Sequence, residues 1–214
     1  VEVDELSLVV DTGPDFRQQM LTNRIQRLDA VLFTHAHKDH TAGMDDIRSF
    51  NFKQKKDMPI YGSQAVLDQL KMEFSYIFSN TSYPGVPRIE VYPIFNEKFS
   101  VGKVDIEPIE VLHYKLPVFG FKINHFAYIT DAKTISGIEK EKLQNLDILV
   151  LNALQHKPHI SHLTLEEALD LVNELKPKKA YFTHISHNLG FHKEVQESLP
   201  ENVYLAYDGL TINC

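Results

Sequence analysis

Residues 34–40 read Thr-His-Ala-His-Lys-Asp-His and set three imidazoles and a carboxylate within six residues, directly after the apolar segment 30–33. Imidazole nitrogen and carboxylate oxygen are ligands suited to zinc, manganese or iron. On an extended or turning backbone His35 and His37 point the same way, while Asp39 and His40 lie past the bend. One short loop can therefore serve two metal ions. An accidental polar loop is the bland alternative, and this density of donors at fixed spacing argues against it.

The elements that must hold such a loop can be read around it. Leu6 to Val10 reads as a strand stopped by Asp11-Thr12-Gly13-Pro14, and Pro14 suits the first turn of a helix to about Asn23. Asp29 to Thr34 is a buried strand by its continuous apolar run. A short helix spans Gly43 to Phe50, and Pro59-Ile60-Tyr61 is a short strand. Ser63 caps a helix to about Phe74 with Leu67 and Leu70 on its inner face. Ser79 to Arg88 is a loop by its turn residues. Strands follow at Lys98–Ile106, Glu107–Leu112, Phe119–Ile123 and Phe126–Thr130, with Asn124-His125 as a tight hairpin turn. Asp147 to Leu151 is another buried strand. Thr164-Leu165-Glu166-Glu167 is a capping box. Its helix carries Leu165, Ala168, Leu169, Val172 and Leu175 as a core stripe and stops before Pro177. Lys179 to Thr183 is a strand, Lys193 to Ser198 a short helix and Val203 to Leu205 a last strand.

A chain of 214 residues supports one substantial core, so one domain over residues 1–214 is expected. Its hydrophobic fraction of 43% and charged fraction of 24% are those of an ordinary globular protein. The net charge of −7 disfavours nonspecific binding to nucleic acid or anionic membrane, which needs clustered Lys and Arg. The basic run Lys53-Gln54-Lys55-Lys56 reads as a solvated face. The single cysteine, Cys214, excludes an internal disulfide and fits a cytoplasmic setting. No segment approaches a membrane span, and Val1 to Leu8 lacks the features of a signal peptide. A homodimer stays open.

The run from His35 to His40 matches H-x-H-x-D-H, the signature of the metallo-β-lactamase-fold hydrolases. Three later positions follow the order of that family: His113 after Val111-Leu112, Asp131 after Tyr128-Ile129-Thr130, and His184 after Ala180-Tyr181-Phe182-Thr183. Asp11 to Arg17, Gly43 to Asn51 and Thr183-His184-Ile185-Ser186-His187 resemble the branch of the phosphoribosyl cyclic phosphodiesterases, which is similar to the tRNA 3′-processing endonucleases. The resemblance covers nearly the whole chain. It implies an α/β class, an αββα sandwich of two mixed sheets with outer helices, where periodicity alone supports only a generic α/β or α+β class. Relatives usually begin with a strand and a Gly-rich loop ahead of this point, and some carry a Cys-rich, zinc-binding insertion there; neither is among these 214 residues.

The same resemblance implies a ligand set for two divalent ions, Zn2+ foremost with Mn2+ as the other option. His35, His37 and His113 would hold the first, Asp39, His40 and His184 the second, and Asp131 would bridge them. Asp39 thus counts as catalytic as well as ligating. Such a pair lowers the pKa of water and neutralises developing oxyanion charge, which suits a phosphodiester. The leaving alkoxide then needs a proton, and His162, just ahead of the capped helix, matches the position assigned to that role. His187 resembles a substrate-contacting histidine, whereas His159 and His192 read as surface or packing residues. Asp11 can orient a ligand imidazole, since such rings usually donate their other N–H to a carboxylate or carbonyl. Arg48 can reach a substrate phosphate, and an ion pair with Asp45 three residues earlier explains it equally well. Tyr114 and Lys115 can line the pocket.

The expected function is hydrolysis of a small cyclic or linear phosphodiester. Hydrolysis of a thioester, lactone or β-lactam is the alternative on the same fold, since fold does not fix function. His162 discriminates, because a leaving thiolate needs little proton help. A nonenzymatic metal-binding protein is the third reading, against which the full ligand set argues.

Overall fold

The computed structural model describes residues 1–79 and 84–213. The chain divides into two compact units, residues 1–104 and 105–214. Residues 80–83 of the loop expected over Ser79–Arg88 lie outside the described residues.

The first unit carries a mixed sheet in the order β1 (Glu2–Val3), β2 (Leu6–Val10), β3 (Ala30–Leu32), β4 (Met58–Gly62), β5 (Ile89–Pro93). β1 is antiparallel to β2, and the remaining neighbours are parallel. A short strand β6 (Phe99–Val101) follows. The helices are α1 (Phe16–Thr22), α2 (Lys38–Thr41), α3 (Arg48–Gln54), α4 (Gln64–Glu73) and α5 (Ser75–Phe78), with a 3-10 turn at Met44–Ile47. Val31, Met58 and Ile60 of the strands share one core with Phe16, Met44, Ile47, Phe50, Leu67 and Leu70 of the helices and turn. Ser63 caps α4 by accepting from Val66 N–H, as expected, and Leu67 and Leu70 are buried.

The second unit carries a mixed sheet from β7 (Val104–His113), β8 (Leu116–Ile123), β9 (Phe126–Ile129), β10 (Thr134–Ile135), β11 (Ile148–Asn152), β12 (Lys179–Thr183) and β13 (Val203–Leu205). These strands run in the order β10-β7-β8-β9-β11-β12-β13. Three helices belong to it: α6 (Gly137–Lys142), α7 (Leu165–Leu175) and α8 (His192–Ser198), with a 3-10 turn at His187–Leu189. β9, β11, β12 and β13 are parallel, whereas β7, β8 and β9 form an antiparallel meander. Every residue of β11 is buried, as its continuous apolar run requires of a central parallel strand. The capping box on α7 forms as read: Thr164 Oγ1 accepts from Glu167 N–H, and Thr164 N–H donates to the Glu167 carboxylate. No helix among the described residues is long and apolar enough to cross a membrane.

Several sequence expectations change, and the short helix read over Gly43–Phe50 is a 3-10 turn at Met44–Ile47 followed by α3, which runs on to Gln54. The strand read over Lys98–Ile106 is two strands, because Gly102 adopts φ 59° and turns the chain between β6 and β7. β7 then runs unbroken through the segment read as a separate strand at Glu107–Leu112. It turns at Tyr114-Lys115 into β8, a hairpin without the Gly or Asn that marks one, in which Tyr114 itself takes φ 58°. On α7 the buried stripe includes Leu171, while Leu169 is only partly buried.

Candidate metal centre

In the first unit the donor loop leaves the carboxyl end of β3. The α2 helix begins at Lys38 with His37 as its extended N-cap, so the bend anticipated between His37 and Asp39 is a helix start. β2 ends beside β3, with Val10 in register with Leu32, and Asp11 follows directly. Thr12 N–H donates to His40 O at 2.7 Å and Gly43 N–H to Thr12 O at 2.8 Å. The two backbones come so close that a Cβ on Gly13 would lie 2.8 Å from Asp39 O, and one on Gly43 would lie 2.3 Å from Gly13 O. Glycine is required at both positions, and this contact seats the donor loop against the end of β2.

Asp11 is buried and organises the loop. Its Oδ1 accepts from Thr34 N–H at 2.8 Å, and its Oδ2 accepts from Thr34 Oγ1–H and from His40 Nδ1–H, both at 2.7 Å. Thr34 Oγ1 lies 3.0 Å from His35 Nδ1, and because that hydroxyl donates to Asp11 it accepts from the ring. Asp11 therefore fixes two imidazoles as Nδ1–H tautomers, one directly and one through Thr34, and leaves each Nε2 as a lone-pair donor. Burial raises the Asp11 carboxyl above its ordinary value, and the bonds from His40 and Thr34 pull it only partly back. His35 Nε2 stands 3.0 Å from His37 Nδ1, and His40 Nε2 stands 3.4 Å from Asp39 Oδ2. Two donors bound to one tetrahedral ion at about 2.0–2.1 Å stand about 3.4 Å apart, so these pairs fit a cation. Asp11→Asn removes the charge that sets both tautomers. It is expected to weaken zinc affinity or diester hydrolysis by about 10–100-fold, measured by competitive zinc titration and a rate assay.

In the second unit β7, β9, β11 and β12 all end at the same edge, and three of them deliver donors there. His113 is the last residue of β7, and its Nδ1–H donates to Ser161 O at 3.0 Å, which frees Nε2. Asp131 follows β9 and His184 follows β12. Asp131 Oδ1 lies 2.9 Å from His184 Nε2 and 3.3 Å from His162 Nδ1. The His162 ring packs 4.6 Å from that of His113 and 4.8 Å from that of His184. Asp131, His162 and His184 each present a donor atom within 4.8 Å of the others. Asp131 is 1% exposed. His162 Nδ1 is buried without a hydrogen bond among the described residues, an arrangement that a cation would relieve. Burial pushes the His162 imidazole down to about 4; Asp131 opposes this, and the neighbouring imidazoles reinforce it.

Three of these residues sit in left-handed backbone, Asp11 at φ 62°, Asp131 at φ 56° and His184 at φ 53°. Each is the turn out of a parallel strand, and the positive φ swings the side chain off the strand axis.

Other anticipated residues stand apart. Arg48 forms its ion pair with Asp45 at 3.4 Å and is 49% exposed, so the bland explanation accounts for its position. His187 is exposed at the start of a 3-10 turn three residues past His184. His192 Nε2–H donates to Leu205 O, which makes it a packing residue. His159 stacks 5.0 Å from His162 and accepts from Ser161 N–H, closer to the cluster than a surface reading gives. Lys115 lies over the Tyr114 ring. Thr34 and Ser161 are partners that sequence reasoning missed. Thr34 had a signal, a hydroxyl immediately before the first histidine of the run.

Residues 7–185 match the family described as Beta-lactamase superfamily domain. An octanoyltransferase from Porphyromonas gingivalis is 37% identical over 205 residues, covering 95% of this chain and 41% of that protein. A ribonuclease Z from a Bradyrhizobium species is 27% identical over 120 residues, covering 54% of this chain and 39% of that protein. The matches thus span about two fifths of these curated relatives' lengths. Among solved structures, a diphosphatase from the PhnP family has a TM-score of 0.92 at 35% identity, over 100% of this chain and 82% of the other.

Proposed function

This chain belongs to the beta-lactamase superfamily, in its PhnP branch, and we propose that it is a metal-dependent hydrolase, a dinuclear phosphodiesterase acting on a small cyclic or linear phosphodiester. The observation that carries this is the approach of buried Asp131 Oδ1 to His184 Nε2 at 2.9 Å, with the His162 ring packed beside both. Buried carboxylate and imidazole at such separations are costly without a cation. The likeness to a diphosphatase favours phosphorus as the electrophile.

In this reading residues 1–214 are one hydrolase domain. His35, His37 and His113 would hold one ion and Asp39, His40 and His184 the other, with Asp131 as the ligand they would share. Ions bound there would supply an activated water and neutralise charge on the phosphoryl oxygens; zinc is favoured by the nitrogen-rich donor set, with manganese as the alternative. The chain's own residues do the rest. Asp11 and Thr34 keep His40 and His35 in the ligating tautomer. Attack on phosphorus is in line, the opposite P–O bond breaks, and His162 gives the departing oxygen a proton or a hydrogen bond. Burial favours the neutral His162 imidazole, and the charge of a bound anionic substrate would favour the protonated form that donation requires. Arg48 pairs with Asp45 through one guanidinium nitrogen and is half-exposed, so its other N–H donors can meet a phosphate, and His187 is available to substrate from its exposed turn. The net charge of −7 favours a small-molecule substrate over nucleic acid. A cytoplasmic setting and a homodimer are parts of this proposal that lone Cys214 and the fold are compatible with.

The octanoyltransferase match favours a second reading, hydrolysis of an acyl ester or thioester. The chain accounts for 41% of that protein, so the named activity can reside in the remainder. The test is turnover of bis-p-nitrophenyl phosphate, p-nitrophenyl phosphate, a diphosphate diester, octanoyl thioesters and a β-lactam after loading with zinc or manganese. Diesters are expected to be cleaved and monoesters to be poorer. Robust thioester or lactam turnover with no phosphodiester cleavage under either metal overturns the proposal.

A further inference from the structure

β11 reaches one residue beyond its apolar run, to Asn152, which is 0% exposed. A buried carboxamide is costly unless both its ends are satisfied. Here Asn152 Oδ1 accepts from Ala132 N–H at 2.8 Å, and Asn152 Nδ2–H donates to Ala132 O at 3.0 Å. Both bonds fall on the residue after Asp131, at the point where Asp131 leaves the β region at φ 56°. The side chain thus substitutes for a strand partner just where β9 has stopped pairing with β11.

The two residues that follow extend the pattern. Ala153 N–H donates to Thr183 O at 3.0 Å, next to His184. Leu154 N–H donates to Leu163 O at 3.0 Å, next to His162, and Leu154 O accepts from Ser186 N–H at 2.9 Å. Leu163 N–H in turn donates to Ala132 O at 2.9 Å, and Lys133 N–H donates to Leu112 O at 2.8 Å, beside His113. Every donor of this cluster is therefore one residue from a backbone group tied directly or at one remove to the segment 152–154.

We propose that Asn152 is a positioning residue for the metal centre. Its clamp on Ala132 fixes the strained turn that aims the Asp131 carboxylate, and it registers the Asp131 turn with the His162 and His184 loops that hang from the same strand end. This rests on the reading of Asp131 as a ligand. Ala132 O accepts from both Asn152 and Leu163, so loss of the amide donor loosens two loops together.

The test uses Asn152→Ala and the isosteric Asn152→Asp, whose carboxylate still accepts from Ala132 N–H but repels Ala132 O. Glu139→Gln is the control, a buried group of the same unit that accepts from Glu110 N–H and pairs with Lys142. Each is titrated with cobalt(II), followed by its visible absorption, and assayed on bis-p-nitrophenyl phosphate. For the Asn152 variants, cobalt affinity at one site is expected to fall about tenfold or more, and kcat about 10–100-fold with KM within about threefold. Glu139→Gln is expected to lower Tm and leave cobalt binding and kcat unchanged. Asn152 variants that lose only Tm, with cobalt affinity and kcat unchanged, overturn the proposal. A readout free of metal and activity separates this from the functional reading. In Asn152→Ala the Ala132 amide, which loses its acceptor, should lose protection from hydrogen exchange, and in both variants the His162 and His184 ring signals should shift or broaden while those of His35 and His37 stay put. If the wild-type protein binds no cobalt and cleaves no diester, the functional reading fails, and unchanged signals at those rings overturn the positioning role as well.

Discussion

Asp131→Ala is expected to abolish diester hydrolysis, with a loss of at least about 10³-fold, because the carboxylate proposed to sit between two ions contributes several kcal/mol of charge stabilisation through them. Metal content should fall in step. Elemental analysis of the wild-type protein after loading should give about two divalent ions per chain. Asp39→Ala should retain about one, since the donors assigned to the first ion are untouched. Asp39 is 62% exposed whereas Asp131 is buried, so the two variants also differ in cost to the fold. No more than trace metal in loaded wild-type protein, or full occupancy in Asp131→Ala, would count against the two-ion centre.

His162→Ala carries the second large effect, and it tests mechanism. If His162 assists the leaving oxygen, the variant should keep its metal and lose about 10²–10⁴-fold on a diester with an alkoxide leaving group. The loss should shrink sharply with p-nitrophenolate, which departs without a proton. A packing histidine would behave otherwise, with equal losses on both substrates and a lower Tm. The close approach of His162 Nδ1 to Asp131, 3.3 Å, adds a third outcome. If the imidazole is itself a ligand, the variant loses metal, and both substrates suffer alike. The deciding quantities are the two ratios of kcat/KM, with metal content measured beside them.

The parts legible in the sequence were those governed by local rules. The Thr164–Glu167 capping box, the Ser63 cap and the Asn124-His125 turn each depend on a few adjacent residues, and each forms as read. β2 and β13 were bounded correctly because apolar runs end at turn residues. The meander was harder. Tyr114 turns the chain at φ 58° with no glycine to mark it, and the strand read over Lys98–Ile106 ran through Gly102, where the chain turns, and stopped inside β7. β5, with its half-exposed alternation, and the two-residue β10 are held by register with neighbours distant in sequence. In the site, donor types and order were visible, and so was the prospect of Asp11 as a partner. What could not be read was which nitrogen each ring uses. That depends on Thr34 and on Ser161, whose carbonyl is 48 residues from the ring it receives. Asn152 was hidden for the same reason, since its partner lies 20 residues away.

The left-handed turns at Asp11, Asp131 and His184 set the chemistry of this protein against its fold. Each such residue costs on the order of 1 kcal/mol or more relative to a glycine that takes the same angles freely. Glycine, however, carries no donor. Random substitution in a lineage released from the need for catalysis would therefore run downhill at these three points, gaining backbone ease as it lost the centre. Aspartate and histidine there keep, at that cost, the side chains that the proposed centre needs. The same logic warns against stabilising the protein by relaxing its backbone, because the positions with most to gain are those that hold the donors.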